Sequence, residues 1–233
     1  MIGKKIIETA LAEGRTLLTE TESKALISES GIAVTDTQLA CSISEAVSIS
    51  DRIGYPVVLK IASKDITHKS DADGVKVGLR TPTAVRKAYK QIFTSVLQKY
   101  PTAALQGVTV QKSVDQGVQV IIGMFTDVQF GPVLMFGLGG VWVEILKDVS
   151  FRIIPLTKKD AASLIRDIKG FPLLEGRRGQ KASDIKSIEA ALLKISAFVE
   201  KYSEIKEIDL NPIFVYEKGC VAVDARIIIK PKS

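Results

Sequence analysis

Between residues 107 and 156 the chain passes through a series of β-branched segments joined by connections too short to hold a helix. The segments 107–112, 118–125, 132–136 and 141–146 each concentrate valine, isoleucine or phenylalanine, and 151–156 is again extended. Asp115-Gln116-Gly117 and Gly137-Leu138-Gly139-Gly140 read as turns between them. A parallel crossover needs a dozen or more residues, so this stretch predicts an antiparallel sheet. Its cover comes from helices predicted at 158–169 and 183–202, the latter with Ile185, Ile188, Leu192, Ile195 and Val199 on one face.

The first hundred residues read as a smaller α+β unit. Thr21 or Glu22 opens a helix that Gly31 closes, and Ser44 caps another running to Gly54. Pro56 stops further helix, and Val57-Val58-Leu59-Lys60-Ile61 reads as a strand. Gly74 to Leu79 is its returning strand, and Val85, Ala88, Ile92 and Val96 mark the buried side of a helix ending before Pro101. A hinge near 105–112 therefore divides the chain into 1–110 and 111–233, with residues 1–18 packing on the second part.

Composition narrows the chemistry. With 233 residues and 46% hydrophobic content there is ample material for a core, and no apolar run approaches the length that spans a bilayer. Residues 1–15 read as a short amphipathic helix rather than a signal peptide, which places the chain in the cytoplasm. Cys41 and Cys220 lie far apart with no Cys-x-x-Cys spacing, so thiolate metal sites and disulfides drop out. The formal charge of +6 is spread among acids with few aromatics between, a pattern suited to phosphate-bearing small molecules rather than nucleic acid.

Three places then stand out. His68, the only histidine, sits in the polar loop Lys64-Asp65-Ile66-Thr67-His68-Lys69-Ser70-Asp71-Ala72-Asp73-Gly74, where a neutral imidazole can act as nucleophile, base or ligand. Lys60, an ammonium inside an apolar strand, must either snorkel from an edge or meet an anion at the strand face. In Glu207-Ile208-Asp209-Leu210-Asn211-Pro212, followed by a Glu217-Lys218-Gly219 turn and 220–224, a hairpin brings Asn211 within about one register of Asp224. Two such hard oxygen donors suit Mg²⁺, although Asp209-x-Asn211-Pro212 can also merely cap a strand end. Gly139 and Gly140 allow backbone amides to approach phosphate, or simply reverse the chain.

The ordered set of 21–31, Gly54-Tyr55-Pro56-Val57-Val58-Leu59-Lys60, the histidine loop, Gly123-Met124, Phe130-Gly131-Pro132, 136–140, Asp209-x-Asn211-Pro212 and Asp224-Ala225-Arg226 closely resembles the ATP-grasp β subunit of ADP-forming acyl-CoA synthetases. That family is related to the β subunit of succinyl-CoA synthetase. The resemblance implies an α+β ATP-grasp fold of two subdomains gripping a nucleotide. It implies that Lys60, Gly139 and Gly140 serve the nucleotide phosphates, and that Gln111, Lys112 and Val114 form a hinge holding adenine through backbone groups. Gln119 stands where the family often has a ribose-binding glutamate, and an amide can still bond a hydroxyl. Asn211 and Asp224 match the Mg²⁺ ligands, and Asp209 an acid that holds a phosphorylated histidine, here His68.

The implied reaction is acyl-CoA + ADP + phosphate = carboxylic acid + CoA + ATP, with acetate or another small acid. The chain shows no Gly-x-Gly-x-x-Gly unit for CoA and has no second histidine, so a CoA-binding α subunit, in an α2β2 assembly, is the implied partner. Two other readings are a direct ATP-grasp carboxylate ligase, which needs no histidine, and a non-catalytic phosphohistidine carrier, which needs no Lys60.

Overall fold

A computed structural model describes residues 2–66, 68–140, 147–176 and 181–231. They form two compact units, Met1–Val34 with Gln116–Ser233, and Thr35–Asp115. The N-terminal stretch grouped with the later residues thus runs to Val34, beyond the residue 18 anticipated from sequence. The reason is apolar: α1 (Ile2–Ala12) and α2 (Glu20–Glu29) contribute Ile7, Leu26 and Ile27, each at most 2% exposed, to the same core as the later strands. Leu18 N–H also donates to the Ile227 carbonyl at 3.0 Å. Thr19 is the N-cap of α2 and trades hydrogen bonds with Glu22, so the helix opens two residues earlier than the sequence suggests.

The smaller unit contains β1 (Thr37–Ala40), α3 (Ile43–Ile53), β2 (Val57–Ser63), β3 (Val75–Leu79), α4 (Pro82–Lys99) and β4 (Leu105–Lys112). The cap of α3 is Ser42, not Ser44, because the Ser42 hydroxyl reaches Glu45 N–H at 3.2 Å. The strands lie in the order β1-β4-β2-β3, all antiparallel. Val57, Leu59 and Ile61 turn to α3 and α4 with no exposed surface, and by alternation Val58 and Lys60 turn to the other face.

The chain returns to the larger unit through β5 (Val118–Asp127), β6 (Gly131–Leu138), β7 (Val149–Ile153), α5 (Lys158–Arg166), α6 (Phe171–Leu174), α7 (Ile185–Lys201), β8 (Ile205–Val215), β9 (Cys220–Ala222) and β10 (Arg226–Ile229). The antiparallel order is β10-β8-β5-β6-β7, with β9 also paired to β8. The strand anticipated at 141–146 lies outside the described residues. Helix α5 stops at Arg166, three residues short of expectation, and α7 starts at Ile185, two residues later than expected, capped by Asp184, which accepts from Ser187 N–H.

Ile122, Met124, Leu134, Phe136, Ile208, Leu210 and Ile227 face the helices and are at most 1% exposed. Burial of such side chains contributes about 1.5–3 kcal/mol each and holds the sheet against α5 and α7. Among the described residues no helix is long and apolar enough to cross a membrane.

Glu29 ties three helices together. Its carboxylate accepts from Lys201 Nζ at 2.7 Å, Tyr202 Oη at 2.6 Å and Gly3 N–H at 2.8 Å. These donors, Lys201 foremost, pull its pKa from 4.5 down to about 2. The folded state then binds fewer protons than the unfolded chain between those values, so this stabilisation is present above pH 4.5 and lost as pH falls towards 2. Glu29→Gln is expected to lower the melting temperature at pH 7 and to flatten its fall on acidification through that window. Parallel melting curves for parent and variant across the window would refute the assignment.

Candidate functional site

The β8–β9–β10 hairpin supplies the densest group of chemistry-bearing side chains. Val215 pairs with Cys220, Ile213 with Ala222, Asp209 with Arg226 and Ile208 with Ile227, all in one unbroken register. The two strand pieces on one side are separated by Val223, Asp224 and Ala225, and Val223 N–H still donates to the Pro212 carbonyl at 3.0 Å. The same register places Asp224 directly across from Asn211. Because Leu210 and Ala225 are buried, Asp209, Asn211 and Asp224 share the open face of the sheet.

An amide oxygen and a carboxylate opposed on a rigid ladder are hard donors of the kind that hold Mg²⁺ with water and phosphate completing its shell. The donor set fits that ion. Among the described residues there is no cluster of three or more His, Cys, Asp or Glu residues that would form an all-protein cage.

Gln119 opens β5 on the same face and is exposed. Its carbonyl accepts from Gly139 N–H at 2.7 Å, while its side-chain Oε1 lies 3.2 Å from where a Cβ on Gly140 would sit. Gly140 has φ +67, a left-handed conformation that favours glycine at this corner. Gln119, Gly139 and Gly140 line an open cavity of about 770 Å³, together with Leu138, Ser183 and Tyr216.

In the smaller unit Lys60 is 5% exposed on β2, an interior strand between β4 and β3, so snorkelling from an edge does not describe it. Thr109 and Gln111 lie on its face, opposite Lys60 and Val58, at 4% and 1% exposure. Gln111 Oε1 accepts from the hydroxyls of Thr35 at 3.4 Å and Thr37 at 3.3 Å. Lys112 spends its ammonium on the carbonyls of Gly54 and Tyr55, 2.8 Å each, and Ser113 N–H donates to the Pro56 carbonyl. These bonds brace the strand end leading to Val114 and occupy two of the three donors of the Lys112 ammonium.

His68 is exposed in the loop between β2 and β3. One end is pinned where Asp65 accepts from Ala104 N–H at 2.7 Å. The other is pinned by Asp73, which accepts from Lys76 at 2.6 Å and Ser95 at 2.9 Å, while Lys99 Nζ donates to the Asp71 carbonyl at 2.6 Å. Lys76 is the main reason the Asp73 carboxyl is held below its usual range. Ile66 and Ala72 are buried at 6% and 0%, so the polar residues stand outward on apolar footings. Two residues separate Asp65 from His68, so with that end pinned the His68 Cα stays within about 11 Å of it, three steps of extended chain.

The sequence reading missed β10, and with it the placement of Arg226. The three consecutive isoleucines of Arg226-Ile227-Ile228-Ile229 are the local signal of that strand, and a short one.

The ATP-grasp domain family model matches residues 9–229, nearly the whole chain. The β subunit of ADP-forming acetate–CoA ligase I from Pyrococcus furiosus is 47% identical over 226 residues, covering 97% of each chain. The chain belongs to this family of ATP-grasp β subunits. The ADP-forming acetate–CoA ligase I of Archaeoglobus fulgidus is 42% identical, but there the match spans 33% of a longer polypeptide. A solved acetyl-CoA synthetase of Ca. Korarchaeum cryptofilum, described in complex with coenzyme A and Ca-AMPCP, superimposes with TM-score 0.95 at 47% identity, covering 98% of this chain and 100% of that one. A second structure of the same enzyme carries Mg-AMPPCP with its phosphohistidine segment pointing towards the nucleotide site, at TM-score 0.86 and 45% identity, with coverage of 98% and 100%.

Proposed function

We infer that this chain is the nucleotide-handling β subunit of an ADP-forming acyl-CoA synthetase, with acetate or another small carboxylate as the acid. The net reaction is acyl-CoA + ADP + phosphate = carboxylic acid + CoA + ATP, and His68 is the phosphoryl carrier. The observation that carries this reading is the chain's one histidine, exposed on a loop pinned at both ends. The fused relative and the separate β subunit, both about as similar to this chain, support a partner that supplies the remaining machinery. Exposed Phe125, Phe151 and Ile153 on the open face of the larger sheet suit contact with such an α subunit. An α2β2 assembly in the cytoplasm is the arrangement the resemblance implies.

In this reading Lys60 and the amides of Gly139 and Gly140 bind nucleotide phosphates, the backbone from Gln111 through Lys112 to Val114 receives adenine, and Gln119 bonds a ribose hydroxyl. Asn211 and Asp224 hold Mg²⁺, which when bound neutralises charge on the transferring phosphoryl oxygens. Asp209 orients the His68 imidazole through its N–H, leaving the other ring nitrogen free to attack phosphorus. No proton has to leave the attacking nitrogen, which suits a carrier that must load and unload at one pH.

The test is incubation of the chain, alone and with its α partner, with Mg²⁺ and ATP labelled at the terminal phosphate. Acid-labile, base-stable label on His68 that transfers to ADP is expected. ATP binding without label, partner present, would instead favour a direct ligase; absence of both binding and label would remove the nucleotide assignment.

A further inference from the structure

One wall of the cavity beside Gln119 lies beyond the end of a strand pair. Tyr216 and Glu217 form it, from the turn between β8 and β9, whose pairing ends at Val215 with Cys220. Past that point Tyr216 N–H donates to the Gly219 carbonyl at 3.0 Å, and Gly219 takes a left-handed φ of +79. Glu217 and Lys218 at the tip are exposed, and an exposed turn is ordered only as far as neighbouring groups bind it.

Asp184 binds this turn at both ends. Its backbone N–H donates to the Tyr216 carbonyl at 2.7 Å, and its side-chain Oδ2 accepts from Gly219 N–H at 2.8 Å. The other carboxylate oxygen, Oδ1, accepts from Ser187 N–H at 3.1 Å and caps α7. Ile188, Leu192 and Ile195 of that helix are at most 1% exposed in the core, so Asp184 refers the turn to a rigid element. Gly219 N–H, ahead of Ser187 N–H, holds the Asp184 carboxyl below its usual range, in keeping with the shorter distance. Lys181 and Glu217 also form an ion pair at the cavity rim, but their side chains are 75% and 56% exposed and such a pair contributes little.

The position of the turn bears on Gln119. An added Cβ on Gly117 would lie 3.0 Å from the Tyr216 ring, so that ring rests on the backbone two residues before Gln119. Val118 pairs with Val215 and Gln119 with Phe214, which places the turn and Gln119 on one stretch of ladder.

We propose that Asp184 is a positioning residue for the nucleotide, fixing the turn at 216–219 so that the cavity wall beside Gln119 is already formed when ligand arrives. This rests on the reading of Gln119 as the ribose contact. Asp184 does not line the cavity and acts through Tyr216 and Glu217. Its loss adds the cost of ordering the turn to every binding event, in ground state and transition state alike, so KM for ADP rises while kcat holds. The Asn211–Asp224 pair lies further along the hairpin, where Val223 N–H donates to the Pro212 carbonyl, so the Mg²⁺ requirement also holds.

The experiment measures ADP affinity by calorimetry and melting temperature for the full chain, and ADP-dependent CoA release with the α partner at varied ADP and Mg²⁺. D184S keeps a hydroxyl that can cap α7 but is too short to hold Gly219 as well, whereas D184A removes both bonds. D184S is expected to weaken ADP binding and raise KM for ADP ~10-fold, with kcat within about twofold and the Mg²⁺ requirement and melting temperature close to parental. D184A is expected to lose at least as much affinity and to melt lower. D184N, which keeps one acceptor oxygen, is expected to fall between the parent and D184S in affinity. Parental ADP affinity in D184S overturns the proposal, because the turn would then hold without the carboxylate. A loss in kcat as large as the rise in KM also overturns it, as does a melting temperature as low as that of D184A, which would leave Asp184 a structural cap. If D184S fails to fold, D184N carries the decision, and parental ADP affinity there overturns the proposal. Absence of ADP binding by the parent chain removes the nucleotide reading and this proposal with it, whereas normal parental binding beside an unaffected D184S removes this proposal alone.

Discussion

Replacing His68 with alanine is expected to abolish net ATP formation from acyl-CoA, ADP and phosphate, with kcat reduced at least ~10⁴-fold, and to leave the fold and nucleotide affinity intact. The expected size follows from the proposed covalent carriage, since the chain has no second histidine to take the phosphoryl group in its place. Retention of the fold follows from exposure, since the imidazole lies outside the apolar footings made by Ile66 and Ala72. The measurement is ADP-dependent release of CoA by the complex with its α partner, beside ADP titration of the variant. Residual turnover within tenfold of the parent would show that phosphate reaches ADP without His68.

The second large effect falls on the metal. Asp224→Ala removes the only charged donor of the Asn211–Asp224 pair and is expected to cut phosphoryl transfer ~10²–10³-fold and to raise the Mg²⁺ needed for half-maximal rate. Asn211→Ala removes a neutral donor and is expected to cost less. Asp224 is only partly buried and lies between β9 and β10, so the stability change stays within about 1 kcal/mol. Magnesium titrations of nucleotide binding separate the two outcomes: an unchanged Mg²⁺ requirement in both variants would move the ion elsewhere.

The sequence made some elements plain and hid others for physical reasons. The long helices were legible because their apolar residues repeat at helical spacing, as Val85, Ala88, Ile92 and Val96 do along α4. Caps were less exact: Ser42 and Ser44 both offer a hydroxyl, and only backbone geometry decides which one reaches Glu45 N–H. The hairpin around Asn211 and Asp224 was visible because a Glu-Lys-Gly turn sits between two strand-forming runs. β1 and β10, four residues each, gave too little pattern, and they depend on pairing with β4 and β8. The allegiance of 19–34 was hidden because it is set by distant contacts, such as Ala222 N–H with the Ala33 carbonyl, that no local period records. Among the candidate residues, Lys60 and His68 were conspicuous as chemical anomalies in their segments. Arg226 was not, since its place depends on a strand that local reading did not find.

The register that β9 and Arg226–Ile228 of β10 share along β8 has a consequence for how such a chain can change. Side chains in a strand alternate faces, so a one-residue slip of the second strand would turn both Asp224 and Arg226 towards the helices. The same slip would bring Ala225 and Ile227 out to the open face. An insertion in the Glu217–Gly219 turn is therefore tolerable only if the turn bulges and absorbs it. The carboxylate and the guanidinium are mechanically linked: a hairpin that loses its register loses both together, and no partial misalignment keeps one without the other.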